Sequence, residues 1–342
     1  MQTSLPVQAD FPLRTLNTFG ISALAHAYLA VHAADDLFRV CADDRLAALP
    51  RLVLGGGSNL LFTRDFPGLV LHMLNTGKRV SGEDASHVYV TGAAGENWHE
   101  FVRWTLENGW GGLENLSLIP GTVGAAPVQN IGAYGAELKD YFHSLLAFDF
   151  ETGKTRLFTA ADCCFAYRES FFKQDGAGRF VILEVTFALP GQWQPNLSYP
   201  DVAEALSNAG HVVPSPKDIS DVIIAIRQRK LPDPALVGNA GSFFKNPTVS
   251  RALFDELKVA HPHMPGYVQP DGSVRIAAGW LIDQCGWKGK THGNAGVCET
   301  QALVLINRGE ATGEEVVRLS EAIRQDVRDR FGLLLDVEPV FI

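Results

Sequence analysis

Val53-Leu54-Gly55-Gly56-Gly57-Ser58-Asn59-Leu60-Leu61 runs from an apolar, strand-like pair through three glycines and two small polar residues into a second apolar pair. Glycine lets the main chain come close to a bulky anion, because no Cβ holds the amide N–H groups away from it. Ser58 and Asn59 add hydrogen-bonding side chains at the same turn. The pattern is neither GxGxxG nor a Walker loop, since Leu60 stands where the last glycine belongs and no Gly-Lys-Ser/Thr follows. A pyrophosphate cradle and a tight structural turn both fit this stretch taken alone.

Three further segments carry the reading outward. Glu114-Asn-Leu-Ser-Leu-Ile-Pro-Gly-Thr-Val-Gly-Ala-Ala-Pro-Val-Gln-Asn-Ile-Gly-Ala-Tyr-Gly-Ala-Glu137 holds four glycines in 24 residues and no charge between its end glutamates. Such a stretch suits wrapping an extended, partly apolar ligand with backbone amides. A buried, turn-rich core is the alternative, and irregular stretches this long are usually functional. In Phe165-Ala-Tyr-Arg-Glu-Ser-Phe-Phe-Lys173, Arg168 has aromatic and apolar neighbours and needs an anion, either Glu169 or a substrate carboxylate. In Asn239-Ala-Gly-Ser-Phe-Phe-Lys-Asn-Pro247, Ser242 follows a small-residue turn. Lys230, Lys245 and Asn246 can supply a local cationic pocket there.

The 342 residues are 46% hydrophobic and 20% charged, enough for about two globular units at roughly 150 residues each. The formal charge of −9 argues against a nonspecific nucleic-acid binder, though not against a pocket for a phosphorylated small molecule. Met1 to Gly20 lacks a basic and an apolar leader region, so no signal peptide is expected. No run of eighteen apolar residues marks a membrane span. Five cysteines without a CxxC pair read as reduced thiols of a cytoplasmic protein, with Cys163 and Cys164 in the core. The sequons at Asn115 and Asn196 are then coincidental.

Strands are expected at residues 52–54, 69–71, 87–90, 145–150, 180–187 and 333–337. Helices are expected at 97–108, where Asn97 and Glu100 cap and Gly109 stops, and from Asp218, with Ile219, Val222, Ile223 and Ile226 on one face. Others fit 277–285, closed by Gly286, and the run after the Thr312/Glu315 capping box, with Val316, Leu319, Ile323 and Val327 inward. His99-Glu100 has Arg103 where a zincin needs histidine, and His261-Pro-His263 has no further ligands near it. No metal site is expected. No nucleophile elbow occurs either.

Together these segments resemble the UDP-N-acetylenolpyruvoylglucosamine reductases, a flavoenzyme family of peptidoglycan precursor synthesis. Asn17-Thr-Phe-Gly20, the loop at 55–61, the run from Ile119 to Gly135, Tyr167-Arg-Glu-Ser170, Gly241-Ser-Phe-Phe-Lys-Asn-Pro247 and Ala277-Ala-Gly-Trp-Leu-Ile-Asp283 match in order, over nearly the whole chain. The stretch from Trp193 to Pro200, with Tyr199, resembles the longer form of the family, whose tyrosine loop covers the substrate.

The resemblance implies an α+β protein: a two-subdomain FAD-binding fold of the vanillyl-alcohol-oxidase-like type plus a smaller α+β substrate-binding domain. The expected boundaries are 1–75 and 76–214 for the FAD-binding subdomains and 215–325 for the substrate-binding domain, with 326–342 carrying Glu338 back to the active site. It implies NADPH-dependent reduction of UDP-N-acetylglucosamine enolpyruvate through FAD. The catalytic residues would be Arg168, Ser242 and Glu338. Gly55, Gly56, Gly57, Ser58, Asn59, Ile119, Pro120, Gly121, Gly132, Ala133, Tyr134 and Gly135 would hold FAD. Tyr199, Lys230, Asn246 and Gln301 would hold the UDP-sugar. With no His or Cys in the 55–61 loop, the flavin is expected to be non-covalent. A monomer without nucleic-acid or membrane partners is expected.

The implied chemistry demands these residue types. Hydride addition to the vinyl CH2 carbon leaves negative charge that delocalises into the carboxylate, where Arg168 and a protonated Glu338 can stabilise it. Ser242 would give the final proton. The family often reads Glu-Pro-Glu-Val-Arg at its C-terminus, whereas Asp336-Val-Glu-Pro-Val340 puts the proline after Glu338 and lacks the arginine. An FAD oxidase of related fold and a catalytically dead UDP-sugar-binding regulator are the competing readings. The first predicts oxygen consumption without NADPH, and the second predicts loss of Ser242 or Arg168, both of which are present.

Overall fold

The computed structural model describes residues 5–342. Residues 1–4, which belong to the expected first subdomain and to the stretch searched for a leader, lie outside the described residues. Helices and strands are mixed along the chain, as an α+β fold requires. The chain forms two compact units, Met1–Phe11, Leu24–Gly57 and Phe66–Gln228 in the first, and Pro12–Ala23, Ser58–Asp65 and Arg229–Ile342 in the second. No described helix is long and apolar enough to cross a membrane.

In the first unit, strands Leu24–Val31, Phe66–Met73 and Arg51–Leu54 run parallel, with Leu29 and Val53 both in register with Leu71. Leu37 and Val40 of helix Ala34–Ala42 close one face of this sheet. A second, antiparallel sheet orders its strands Lys154–Thr159, Phe142–Asp149, Phe180–Pro190, His87–Ala93 and Lys78–Glu83. Helix Trp98–Glu107 lies against it through Trp98 and Phe101, whose rings meet Phe187 at centroid distances of 5.7 and 5.5 Å. All three are buried, and each fully buried side chain of this size is worth about 1.5–3 kcal/mol. The helix starts as expected: Asn97 Oδ1 accepts from the Glu100 N–H at 3.0 Å, and Gly109 ends it at φ +82°.

In the second unit, strands Asn239–Ser242, Val304–Asn307, Ala295–Val297 and Thr291–His292 form an antiparallel sheet. Helix Gly313–Phe331 buries Val316, Leu319, Ile323 and Val327 and carries the expected Thr312/Glu315 capping box. Strand Val340–Phe341 pairs in parallel with Leu60–Leu61, so the second half of the glycine loop belongs to the same unit as the C-terminus.

Several expectations need correction. The helix expected from Asp218 begins at Pro216. Ser215 caps it, its Oγ accepting from the Asp218 N–H at 3.2 Å while Asp218 Oδ2 takes the Ser215 N–H at 2.8 Å. Proline at the first helical position suits that start. No strand forms over 333–337. Arg324 Nε binds the Leu335 carbonyl and Pro339 has no N–H, so only Val337 makes a bridge, to Phe244. Cys163 is core, and burial pushes its thiol up to about 12. Cys164 is exposed instead, because it ends a short helix in the left-handed conformation at φ +47°. Helices Ala34–Ala42, Pro200–Asn208 and Arg251–Ala260 were not anticipated.

Candidate active site

In the first unit, strand Arg51–Leu54 delivers Gly55 and Gly56 against the segment around Gly121. A Cβ at Gly56 would stand 2.9 Å from Gly121 Cα, so here main chain touches main chain. A Cβ at Gly55 would stand 2.5 Å from Thr122 Oγ1. That hydroxyl is buried and has no hydrogen-bond partner among the described residues. An orphaned donor beside two glycines with bare amides is a place for an anionic oxygen. Thr122 was missed by the sequence reading, although a hydroxyl set between the glycines of Gly121-Thr-Val-Gly124 was a usable signal.

The expected cofactor segment continues as a two-residue hairpin. Gly132 pairs with Glu137 and Ala133 with Ala136. The turn residues Tyr134 and Gly135 take φ +48° and +84°, the positive pair a type I′ turn needs. Arg168 reaches this hairpin, donating from Nη2 to the Gly132 carbonyl at 2.7 Å. Its own backbone is left-handed, φ +58°, in a turn closed by two hydrogen bonds between Ala166 and Glu169. A non-glycine residue held there is strained, and such strain concentrates at functional sites. Glu169 accepts from Gln174 Nε2 at 2.7 Å. Tyr199 sits at the start of helix Pro200–Asn208 with its ring edge-on to Tyr134, 5.2 Å between centroids.

Two charged groups that the sequence did not single out are drawn into the same unit. Arg227 hydrogen-bonds Tyr134 and donates from Nε to the Leu118 carbonyl at 3.2 Å. Burial lowers its pKa, and Tyr134 partly offsets this. Glu114 is 1% exposed, and desolvation raises its pKa above the usual carboxylate range.

The second unit gathers the other expected residues by backbone contact. Asn239 pairs with Ile306 and Ser242 with Val304, so one extra residue bulges between them. Gly241, at φ +68°, makes the bulge, and its N–H is held by Asn239 Oδ1 at 2.9 Å. Bulges re-aim side chains next to active sites, and this one sets the direction of Ser242. The Glu338 N–H donates to the Phe243 carbonyl at 2.8 Å, and the Phe243 N–H to Leu303 at 2.8 Å. Asn246 Oδ1 caps helix Ala278–Gln284 through the Ala278 N–H at 2.9 Å. Gln301 accepts from Leu303 at 3.3 Å, and Thr300 binds the Lys230 carbonyl at 2.9 Å. Lys230, Ser242, Asn246, Gln301 and Glu338 all belong to the second unit. Asn59, expected among the cofactor-binding residues, donates from Nδ2 to the Glu338 carbonyl at 3.3 Å. No cluster of metal-ligating side chains occurs among the described residues.

A family model described as "UDP-N-acetylenolpyruvoylglucosamine reductase, C-terminal domain" matches residues 233–342, and one described as "FAD binding domain" matches 25–158. The chain is similar to the UDP-N-acetylenolpyruvoylglucosamine reductase of Burkholderia orbicola, 54% identical over 341 residues covering 99% of this chain and 97% of that protein. The protein of that name from Paraburkholderia phymatum is 55% identical over 339 residues, covering 98% of both. The crystal structure of Thermus caldophilus MurB superposes with a TM-score of 0.68 over 99% of this chain and 98% of that one, at 21% identity. That last likeness speaks to the fold alone.

Proposed function

The chain belongs to the UDP-N-acetylenolpyruvoylglucosamine reductase family, and we propose that it reduces UDP-N-acetylglucosamine enolpyruvate to UDP-N-acetylmuramate in peptidoglycan precursor synthesis, with NADPH as donor. The observation that carries this is identity above one half across essentially the full length of reductases so named. When bound, FAD would supply the redox chemistry, a hydride relay from NADPH to the vinyl CH2 carbon.

The first unit fits that cofactor. Gly55 and Gly56 bring main chain against the Gly121 segment with no Cβ to hold a pyrophosphate away, Gly57 and Gly121 belong to the same proposed set, and Thr122 Oγ1 gives a buried hydroxyl in want of a partner among the described residues. Ser58, Asn59, Ile119, Pro120 and the hairpin Gly132, Ala133, Tyr134, Gly135 complete the proposed set. Arg168 binds the enolpyruvyl carboxylate with its planar fork and stabilises the charge that grows there. Glu338, as the acid, donates a hydrogen bond to the same carboxylate. Ser242 delivers a proton to the carbon bearing the ether. Tyr199, Lys230, Asn246 and Gln301 bind the UDP-sugar. The enzyme works as a cytoplasmic monomer on this reading, with FAD held non-covalently.

Purified protein should be yellow, lose its flavin colour on adding NADPH, and regain it with the enolpyruvyl UDP-sugar as UDP-N-acetylmuramate appears. Colourless protein, or reoxidation by oxygen alone without product, would count against the assignment.

A further inference from the structure

Residues 193–199 precede helix Pro200–Asn208 and lead to Tyr199 at its start. Within the first unit they are fastened to the segment around Glu114 and Asn115 at two points. At one, Trp193 Nε1 donates to Glu114 Oε1 at 2.7 Å, while Glu114 Oε2 takes the Gly112 N–H at 2.5 Å. The indole lies so close to the main chain that a Cβ at Gly111 would stand 2.4 Å from Trp193 Cδ1. At the other point, Asn115 Nδ2 donates to both the Tyr134 and Asn196 carbonyls, at 2.8 and 3.0 Å. Asn196 Nδ2 returns a bond to the Gly135 carbonyl at 2.9 Å.

We propose that Glu114 and Trp193 form a latch that positions Tyr199 for the UDP-sugar. They are positioning residues and touch no substrate. Glu114 lies deep in the unit, and its two oxygens are committed to an indole N–H and a backbone N–H. Only a segment that brings Trp193 to that slot satisfies both. Asn115, the next residue, ties the middle of the segment to the hairpin proposed to hold FAD. Tyr199 therefore hangs on the cofactor-binding segment through a pinned tether of six residues. The inference rests on the function proposed above, through the substrate role of Tyr199.

The test uses the FAD-loaded enzyme. Gly111 does not have positive φ, so the backbone tolerates Gly111→Ala, whose Cβ would press first on the indole at 2.4 Å and then on Pro216 Cγ at 2.8 Å, and Trp193→Phe is the control that leaves Pro216 untouched. Trp193→Phe keeps most of the packing and removes the donor. Each should raise KM for the enolpyruvyl UDP-sugar about tenfold, the loss expected when one buried hydrogen bond no longer holds the segment. Flavin content and the rate of bleaching by NADPH should stay within about twofold of the parent. Combined with Tyr199→Phe, neither should raise KM beyond Tyr199→Phe alone, because the latch acts through Tyr199. Additive effects, an unchanged KM in both variants, or loss of flavin in both would overturn the latch. If the parent enzyme itself fails to turn over the sugar, the functional assignment is what falls. Limited proteolysis at residues 193–199 then judges the latch alone, with faster cutting in Gly111→Ala supporting it and unchanged cutting refuting it.

Discussion

The main-chain N–H of Glu338 is bonded to the carbonyl of Phe243 at 2.8 Å, one residue beyond Ser242. On its other side the Glu338 carbonyl is held by Asn59 Nδ2 at 3.3 Å, and the Val340 N–H by the Asn59 carbonyl at 2.9 Å. The displaced Pro339 therefore leaves Glu338 fastened at both ends, to the bulged strand that aims Ser242 and to the end of the glycine loop. Asn59→Ala removes one side-chain bond worth about 1 kcal/mol. If its work is at Glu338, the flavin-to-substrate half-reaction should slow about fivefold, with flavin content unchanged. Flavin loss in that variant would place its work at the cofactor, where it is proposed to bind.

The two glycines ahead of it should respond differently to an added methyl. Gly56→Ala would press Cβ to 2.9 Å from Gly121 Cα, where only backbone could yield. Gly55→Ala would meet the Thr122 hydroxyl at 2.5 Å, which a rotamer change relieves, and Ala125 Cβ at 3.1 Å, which needs a shift of only a few tenths of an ångström. Flavin absorbance per protein should fall severely in the first and modestly in the second. Equal occupancy in both would mean that this contact does not shape the cofactor site.

What the sequence revealed here is what local chemistry decides. The Asn97 cap and the Thr312/Glu315 box could be read because each acts within three residues. Tyr134 and Gly135 are named as cofactor residues by resemblance, but their type I′ turn is not legible, since left-handed tyrosine has no sequence mark. Long-range closure was invisible. Leu60–Leu61 looked like part of a cofactor loop, but they pair with the C-terminal strand, and Thr63 binds Ile342 at a separation of 279 residues. Trp193 and Glu114, 79 residues apart, gave no hint of each other because a buried carboxylate's partner cannot be guessed from spacing. The two sequon asparagines, Asn115 and Asn196, turn out to be bonded together.

Acid stability offers a check on the antiparallel sheet. Asp149, 4% exposed, accepts from Arg179 Nε and Nη2 at 2.8 and 2.7 Å. The guanidinium holds its carboxyl down to about 2. A depressed folded-state pKa means that this stabilisation is complete above the ordinary aspartate value near about 3.9 and disappears as pH falls toward 2. Asp149→Asn should lower Tm by a few degrees at neutral pH and flatten the pH dependence in that acid window. Glu114 runs the other way. Its raised pKa favours the proton in the folded state, so its cost grows as pH rises through the carboxylate range, and Glu114→Gln should remove that slope. Thermal melts across the acid range would show both, and an unaltered slope in either variant would contradict its assignment.

Ser242 gives the sharpest test of the chemistry. Gly241 bulges the strand so that Ser242, not its neighbour, meets Val304, and the serine follows a residue held at φ +68°. If Ser242 donates only the last proton, its removal spares every earlier step. Ser242→Ala should bind FAD and be bleached by NADPH at a near-normal rate, because no proton is needed at the sugar carbon for that half. Reoxidation by the enolpyruvyl substrate should then fall by about 10²–10⁴-fold, the usual contribution of a positioned acid. Ser242→Cys should recover part of it, since a thiol, with a pKa of about 8.5, is the stronger acid. Gly241→Ala strains the bulge and should reproduce the Ala defect through misaim, without touching the hydroxyl. Stopped-flow traces of the two half-reactions separate these outcomes. Should Ser242→Ala slow both halves equally, Ser242 organises the fold around it and the proton comes from elsewhere.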